Sequence, residues 1–254
     1  NGKGIYANYS RGFAPSGLTA IFRKRPTPAT NGDLFYYNLV PATFTNAEIG
    51  GWMSLLKNKI YLDATYYQMN GTNELLNIRQ PDNSTDYQAA GKTLHKGLEF
   101  GITYKPSKEL FVRFGGTHAV HRFVEFILSQ RASDALKDVN DKDMPSAPRW
   151  IVNGEISYYP KWFKNFRTSL EWQHLSKWYQ NQINTVVYDG YDLVNFRAGY
   201  QWKGIEIFTN ILNLTDALYA TNATRGNAAT DRTTFTPAAP RTFTVGVQYN
   251  FTGK

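Results

Sequence analysis

A two-residue alternation of apolar and polar side chains constrains the fold of this chain more than any other feature. It is clearest at residues 242–251, where one parity holds only Phe, Val and Tyr and the other only Thr, Gly, Gln and Asn. Successive side chains of a β-strand point to opposite faces. The pattern therefore predicts a strand whose two faces meet different environments.

The same alternation recurs along the chain and predicts an all-β fold of about ten strands. The other segments are 3–10, 44–54, 59–69, 94–104, 109–120, 149–159, 166–174, 192–202 and 204–211. A strand of about ten residues, rising about 3.3 Å per residue and tilted by about 45°, spans roughly 23 Å. This height is close to that of the apolar band of a membrane β-barrel. Several apolar faces also end in Tyr or Trp, which are favoured at membrane–water interfaces.

The predicted connections between strands alternate between short and long. The short ones are Leu55–Asn58, Lys105–Lys108, Pro160–Asn165 and the turn at Lys203, and the long polar ones are about 11–43, 70–93, 122–147, 179–189 and 213–240. Short turns at one end and long loops at the other are typical of up-and-down outer-membrane barrels. A soluble β-sandwich is the alternative, although its strands are usually shorter, at about five to six residues.

Composition agrees with a β-protein that has one apolar exterior face. Aromatic residues make up 15% of the 254 residues and charged residues 19%, whereas about a quarter of a soluble domain is charged. The mean hydropathy is low, at −0.47, because alternation spreads the apolar residues instead of collecting them in runs. No run approaches the roughly 18–20 apolar residues of a transmembrane helix. The absence of Cys excludes disulfides, thiolate metal sites and a cysteine nucleophile.

Six short motifs carry a family resemblance. They are YSRGFAP at 9–15, KTLHKGLEF at 92–100, PSAPR at 145–149, GYDLVN at 190–195, NILNLTDALY at 210–219 and PRTFTVG at 240–246. Each motif alone is mainly typical of strands and turns. Together and in this order, the six motifs resemble the C-terminal half of the barrel of TonB-dependent outer-membrane receptors, particularly the ferric-siderophore type. The resemblance covers almost the whole chain.

The resemblance implies that residues 1–254 are the C-terminal portion of an antiparallel up-and-down transmembrane β-barrel. About ten of the family's 22 strands would be present, without the N-terminal plug domain. It further implies a bacterial outer-membrane receptor that takes up a scarce ligand, foremost a ferric siderophore, with the TonB energy-transducing complex acting through the plug. The siderophore would be a transported ligand rather than a cofactor, and no enzymatic activity is expected.

Other functions remain open at this stage. Within the same family, the ligand could be an oligosaccharide or cobalamin. A complete ten-stranded outer-membrane barrel could act as a pore or a membrane-embedded enzyme. A soluble β-sandwich could be a carbohydrate-binding module.

Basic and aromatic residues in the long loops are the candidate ligand-binding groups. They are Arg23, Lys24, Arg25, Tyr36 and Tyr37 in the first long loop, Trp178 and Tyr179 in a later one, and Arg225 in the last. Ferric siderophores are commonly anionic and often aromatic, so cations beside Tyr and Trp suit them. The same side chains could instead stabilise their loops or contact lipid headgroups.

The sequence predicts no catalytic residue and no metal site. His118 and His121 are three residues apart and so fall on opposite faces of a strand, while His95 and His174 are isolated in the sequence. The acidic loop 138–143, with three aspartates, could hold Ca²⁺ through oxygen ligands, but solvated loop charge is the simpler interpretation.

The net charge of +8 comes from 28 basic and 20 acidic residues. The basic residues are dispersed, so attraction to lipopolysaccharide or to an anionic ligand explains the charge at least as well as nucleic-acid binding. One set of charged residues is predicted on the interior face of the strands: Glu99, Arg113, Glu155, Arg167, Glu171 and Arg197. These residues are expected to form cross-strand ion pairs or to contact a plug.

Overall fold

The computed structural model describes residues 2–15, 22–24, 34–36, 40–79, 85–130, 132–249 and 251; for 22–24, 34–36, 77, 79, 85–87 and 90 it describes the backbone only. Within these ranges the chain forms 16 β-strands. No helix in the described ranges is long and apolar enough to cross a membrane.

The strands have the following bounds. They are β1 (Lys3–Ala14), β2 (Phe22–Lys24), β3 (Leu34–Tyr36), β4 (Ala42–Leu55), β5 (Ile60–Arg79), β6 (Thr85–Tyr104), β7 (Leu110–Glu125), β8 (Trp150–Tyr158), β9 (Phe166–Leu175), β10 (Trp178–Tyr179), β11 (Val187–Tyr188), β12 (Tyr191–Trp202), β13 (Ile205–Leu212), β14 (Ala220–Thr224), β15 (Thr234–Pro237) and β16 (Thr242–Tyr249).

Ten of these strands form one antiparallel sheet in the order β1-β4-β5-β6-β7-β8-β9-β12-β13-β16. The other six form three two-stranded hairpins, β2–β3, β10–β11 and β14–β15, within the long connections. The prediction of an up-and-down antiparallel sheet of about ten strands is confirmed. In the described part of the chain, β1 and β16 are the free edges and do not pair with each other, so the sheet is not the closed ten-stranded barrel considered as an alternative.

The register brings apolar residues into line across the sheet on one face, which we call the apolar face. One row runs across nine adjacent strands: Leu55, Ile60, Tyr104, Val112, Ile156, Leu170, Phe196, Ile211 and Phe243. The row starts beside the short turn between β4 and β5 and ends near the loop end of β16. From β4 to β16 the row shifts toward the loop end by about six residues, or roughly 20 Å. It crosses eight strand spacings of about 4.8 Å each, so the strands are tilted by roughly 30°. Membrane barrels tilt their strands by a similar 35–45°.

The apolar face is exposed rather than packed against a second sheet. Val245 and Tyr249 are 74% and 52% exposed, while Phe196 and Tyr200 are half-buried among neighbours on the same face. A soluble β-sandwich would bury all four between two sheets. A single sheet with one exposed apolar face instead fits lipid on that side.

The short turns lie where the sequence predicts them, and positive φ angles make them tight. Leu56, Lys57 and Asn58 have φ of 51°, 55° and 66°, and Lys203 and Gly204 have φ of 46° and 84°. Lys203 and Gly204 form a two-residue turn between the paired residues Trp202 and Ile205, a type that matches the twist of a hairpin. The β4–β5 turn is longer, with four residues between the paired residues Leu55 and Ile60. These turns define one end of the sheet, and the long connections define the other, the loop end.

The predicted long loop 70–93 is largely strand. β5 continues to Arg79 and β6 begins at Thr85, so the hairpin extends well past the predicted strand ends at 69 and 94. Leu76 and Ile78 are fully buried there. The prediction was wrong because this extension alternates poorly, with a bulge that shifts the register between Gly71 and Glu74.

The compact core lies mainly at the loop end. Buried apolar residues in the extensions and long loops are Leu76, Ile78, Phe123, Val139, Trp178, Ala220 and Ala223. The membrane-height part of the sheet is one layer thick and has few buried apolar side chains. The loops are therefore held together by their own core, and the sheet positions them.

Candidate functional site

The loop end carries the candidate ligand-binding residues, but only part of them is described. Arg25 and Tyr37 lie outside the described residues. Arg23, Lys24 and Tyr36 are described by backbone alone, in the β2–β3 hairpin, where Arg23 pairs with Phe35. Their ligand-binding role stays a prediction.

Trp178 is a core residue of the loops. Its side chain is 5% exposed, its ring lies 4.6 Å from that of Tyr188, and its Nε1 donates to the carbonyl of Ala223 at 3.4 Å. Tyr191 meets it edge-on and also packs on Tyr219 at 4.6 Å. Trp178 thus joins three segments. Because its side chain is buried, it would affect a ligand indirectly, by setting the positions of these segments.

Tyr179 follows Trp178 in β10 and is half-exposed. Its carbonyl accepts a hydrogen bond from the amide of Ser146 at 3.0 Å. It lines a concavity of about 340 Å³ together with Asp143, Arg149, Trp150 and Lys177. Because Asp143 pairs with Arg149, Lys177 and the aromatic rings are the groups of this concavity that suit an anionic or aromatic group.

Arg225 is used to join loops. Its amide donates to the carbonyl of Gln180 at 2.9 Å and its Nη2 donates to the carbonyl of Ala229 at 3.0 Å. Its Nε is buried and has no hydrogen-bond partner within the described residues. The side chain therefore stabilises the last long loop while keeping one donor unused.

Side-chain hydrogen bonds connect three long loops into one unit. Asn184 accepts from the amide of Asp143 and donates to its carbonyl, both at 2.8 Å. Ser146 Oγ donates to Asn222 at 3.0 Å, and Thr233 Oγ1 donates to Gln180 at 2.7 Å. We call residues 122–147, 176–190 and 213–240 the loop platform. Interlocked loops lose little further entropy when a ligand binds, so the platform is preorganised.

In the acidic loop 138–143, Asp143 forms ion pairs that stabilise the loop platform. Arg149 Nη2 lies 2.6 Å from one carboxylate oxygen of Asp143 and Arg122 Nη2 lies 3.6 Å from the other. In the described part of the chain, no group of three or more His, Cys, Asp or Glu residues could hold a metal ion. The structure therefore gives no support to the Ca²⁺ alternative for this loop.

The opposite face of the sheet, which we call the polar face, is concave and charged. Arg197 makes a bidentate ion pair with Glu171, at 3.0 and 3.1 Å, and Arg167 Nε donates to Glu206 Oε1 at 3.1 Å. A concavity of about 380 Å³ lies over these four residues. The prediction of cross-strand ion pairs is confirmed for Arg167, Arg197 and Glu171. A hydrated charged wall suits another protein domain or a polar solute rather than lipid.

Gly199 makes the Arg167–Glu206 pair possible, because the pair crosses β12 directly above it. A Cβ at position 199 would lie 3.0 Å from Arg167 Nε and 3.1 Å from Glu206 Oε1. We expect Gly199→Val to lower the free energy of unfolding, measured by urea denaturation, by at most about 1 kcal/mol, since an exposed ion pair contributes about that much. In a Glu206→Gln background the same change should cost less, and an equal cost in both backgrounds would contradict this role for Gly199.

Sequence reasoning missed a histidine pair on the polar face. His95 and His121 lie opposite each other in β6 and β7, and their Nδ1 atoms are 2.7 Å apart. His118 lies on the apolar face, where its ring packs on Trp150 at 4.5 Å, and His174 Nδ1 lies 3.0 Å from Asp192. The sequence correctly separates His118 from His121 but does not reveal the partner of His121.

The comparisons with known proteins agree with this architecture. The family model described as TonB dependent receptor-like, beta-barrel, matches residues 3–214. Comparison with curated proteins finds no match by sequence.

Solved structures share the fold at low identity. The siderophore receptor PiuA from Acinetobacter baumannii has a TM-score of 0.74 and 22% identity, over 97% of this chain and 34% of that one. The ferric yersiniabactin uptake receptor FyuA from Yersinia pestis gives 0.69 and 16%, over 96% and 34%. The ferripyoverdine receptor of Pseudomonas aeruginosa, bound to ferripyoverdine, gives 0.70 and 20%, over 98% and 31%. The chain spans about a third of the length of these structures.

Proposed function

Because the chain belongs to the TonB-dependent receptor family, whose barrel model matches residues 3–214, we propose that it is the C-terminal portion of the barrel of an outer-membrane receptor for a ferric siderophore. Proteins of this family are outer-membrane β-barrels of Gram-negative bacteria. The exposed apolar face suits a bilayer, and the polar face suits the interior of such a barrel. Binding and passage of the ligand require no covalent chemistry, so we propose no enzymatic step.

The loop platform is the observation that carries this proposal. It places three long loops in one hydrogen-bonded unit at the end of the sheet away from the short turns. It also presents Lys177, Tyr179 and the Arg149–Asp143 ion pair around one concavity. Lys177 and Tyr179 suit an anionic, aromatic iron chelate, and the similar structures named above include a siderophore receptor and a ferripyoverdine receptor.

The polar face supports a second part of the proposal, the energy-transducing partner. The Arg197–Glu171 and Arg167–Glu206 pairs leave a charged, concave wall that suits a plug domain inside the barrel. TonB would act on that plug, and the barrel wall would stay fixed while the plug is remodelled. Contacts with lipopolysaccharide would involve the basic groups at the loop end.

Uptake by intact cells tests the ligand class. We expect deletion of the gene to abolish TonB-dependent uptake of a ⁵⁵Fe-labelled siderophore used by the parent strain, and the wild-type gene to restore it. The test is repeated with a panel of ferric siderophores. If uptake of every one of them persists without the gene, the iron assignment is overturned. Loss of cobalamin or oligosaccharide uptake instead would assign the receptor to that ligand class.

The basic cluster of the first long loop tests the binding surface. The variant Arg23→Ala/Lys24→Ala/Arg25→Ala is expected to weaken siderophore binding by roughly tenfold to a hundredfold, because one lost charge-assisted hydrogen bond costs about 1.5–3 kcal/mol. Binding to whole cells at 0 °C measures this affinity without transport.

A matched control removes the same number of charges at the opposite end of the sheet. Its changes are Lys57→Ala, Lys105→Ala and Lys203→Ala, all in short turns. This control should bind like the wild type. Equal losses in both triple variants would show that net charge, rather than the loop cluster, governs binding.

A further inference from the structure

The four short turns of the sheet carry most of the net positive charge of the chain. They are residues 56–59, 105–109, 159–165 and 203–204, and together they hold seven lysines and one glutamate, a net charge of +6. The whole chain has a net charge of +8. The loop platform, at the opposite end of the sheet, holds seven basic and eight acidic residues. The excess of positive charge is therefore concentrated at the end that carries the short turns.

Backbone hydrogen bonds join the four turns into one continuous edge. Each bond runs from an amide N–H at one turn to a carbonyl of its neighbour: Lys105 to Lys59 at 2.7 Å, Tyr159 to Glu109 at 2.8 Å and Gln201 to Asn165 at 3.0 Å. The lysines are dispersed in the sequence, but the antiparallel order of the strands places them side by side. We call the four turns together the basic rim.

The charge of the basic rim is open to an external anion. All seven lysines are exposed, and within the described residues Lys161 alone has a carboxylate partner, Glu109 at 2.9 Å. The Nζ atom of Lys203 lies 4.9 Å from the ring centroid of Trp202. A cation–π contact of this kind positions the ammonium group without neutralising its charge.

Aromatic rings of the apolar face end directly beside the basic rim. Phe166 and Tyr200 are paired neighbours on that face, and the ring of Phe163 stacks on both, with centroid distances of 5.0 Å. Trp202 is the last residue of β12 and is more than half exposed. Tyr and Trp are favoured where the hydrocarbon of a bilayer meets water. The rings therefore place the lysines at the height of the lipid headgroups.

We infer that the basic rim binds an anionic phospholipid, with its phosphate between Lys164 and Lys203 and its acyl chains on the apolar face. Lys164 precedes Asn165 and Lys203 follows Gln201 by two residues, so the two lysines flank the hydrogen bond that joins their turns. Clusters of lysines beside a membrane attract anionic lipids. Short turns of outer-membrane barrels face the periplasm, so the lipid would belong to the periplasmic leaflet, which consists of phospholipid.

The combination of charge and rings favours a lipid over other anions. Free phosphate or an acidic protein would use the lysines, but neither has a hydrocarbon part for the adjoining apolar face. This inference rests on the membrane placement in the proposed function and is independent of the transported ligand. It assigns the lysines of the turns a role that siderophore uptake does not require.

Competition between two lipids tests the site. The full-length receptor is purified in detergent, freed of bound lipid and mixed with equal amounts of phosphatidylglycerol and phosphatidylethanolamine that carry the same acyl chains. Native mass spectrometry gives the ratio of the two lipids in the complexes. We expect the wild type to retain mainly phosphatidylglycerol. Lys164→Gln/Lys203→Gln should lower the ratio by roughly tenfold to thirtyfold, because each lysine near an anionic headgroup contributes about fivefold.

Two matched variants make the test decisive. Lys164→Arg/Lys203→Arg keeps both positive charges and should keep the ratio, which separates loss of charge from misfolding. Lys92→Gln/Lys142→Gln removes two lysines near the loop end and should also keep it. Equal losses in both Gln variants would overturn the inference, because net charge would then govern the preference.

An outcome in the wild type can also refute the site. A ratio near one in the wild type, or an unchanged ratio in Lys164→Gln/Lys203→Gln, would overturn the inference. The result is distinguishable from a failure of the proposed function. A receptor that takes up its ferric siderophore but shows no lipid preference refutes only the lipid site. A receptor that retains phosphatidylglycerol through these two lysines but transports no siderophore refutes only the uptake assignment.

Discussion

Replacing Trp178 with alanine is expected to loosen the loop platform without unfolding the sheet. Removing a buried Trp costs about 3–5 kcal/mol, and Trp178 joins β10 to Tyr188, Tyr191 and Ala223. If the platform opens as one unit, its opening free energy falls by that amount and amide hydrogen exchange accelerates by roughly 10²–10⁴-fold. Hydrogen exchange of the full-length receptor, followed by mass spectrometry, measures this in peptides that contain the Ser146 and Arg225 amides.

Trp162→Ala is the matched control for this experiment. Trp162 lies in the short turn between β8 and β9, is 81% exposed and stacks only on Phe163 among the described rings. Its removal should leave exchange in the platform unchanged. Exchange in β8 and β9 should stay slow in both variants. Wild-type exchange rates in the Trp178→Ala platform would show that the three loops are not one cooperative unit.

The strands were predictable because alternation is a local property. Each strand that spans the membrane must separate lipid from a polar interior, so its pattern is visible in about ten consecutive residues. All ten predicted segments correspond to strands of the sheet. The segment 242–251 corresponds to β16, and the other nine correspond to β1, β4, β5, β6, β7, β8, β9, β12 and β13. The extension of β5 and β6 beyond the membrane-spanning height was missed. There the strands adjoin the core of the loops instead of separating lipid from a polar interior, so apolar and polar residues no longer alternate regularly.

The register across strands was not predictable in the same way. Alternation places His95 and His121 on one face, but it fits any register shifted by two residues, so Thr117, Ala119 and His121 were equal candidates. The structure pairs Tyr104 with Val112, two residues after β7 begins at Leu110. Such staggered strand ends accompany the tilt of a barrel wall. The histidine pair therefore depends on the register between β6 and β7, which the sequence alone does not fix.

The loop residues show a second limit of the sequence. Trp178 was a candidate ligand contact because it lies in a polar loop beside Tyr179. Its burial comes from Tyr188, Tyr191 and Ala223, which lie ten or more residues away along the chain. A local sequence pattern does not predict a core that is assembled from such separate segments. The same limit applies to Arg225, whose backbone N–H donates a hydrogen bond to the carbonyl of Gln180 in another loop.

Leu170→Arg is expected to destabilise the barrel by about 2–4 kcal/mol, the cost of Arg on the lipid face at the bilayer midplane. Leu170 is 45% exposed on the apolar face and pairs with Ile156 and Phe196. It lies about halfway along β9, between the short turn and the loop end. Urea unfolding of the full-length receptor in lipid vesicles, monitored by tryptophan fluorescence, measures the change in free energy.

Asn153→Arg supplies the control that turns this prediction into a test of sidedness. Asn153 lies near the middle of β8 but on the polar face, in a concavity lined by Arg113, Glu155 and Glu171. An Arg at this position stays hydrated, with two carboxylates and one other cation around it, so its cost should be close to zero. A barrel in a bilayer requires the two substitutions to differ by at least about 2 kcal/mol. Equal costs would place the same solvent on both faces of the sheet and would contradict the assignment of the apolar face to lipid.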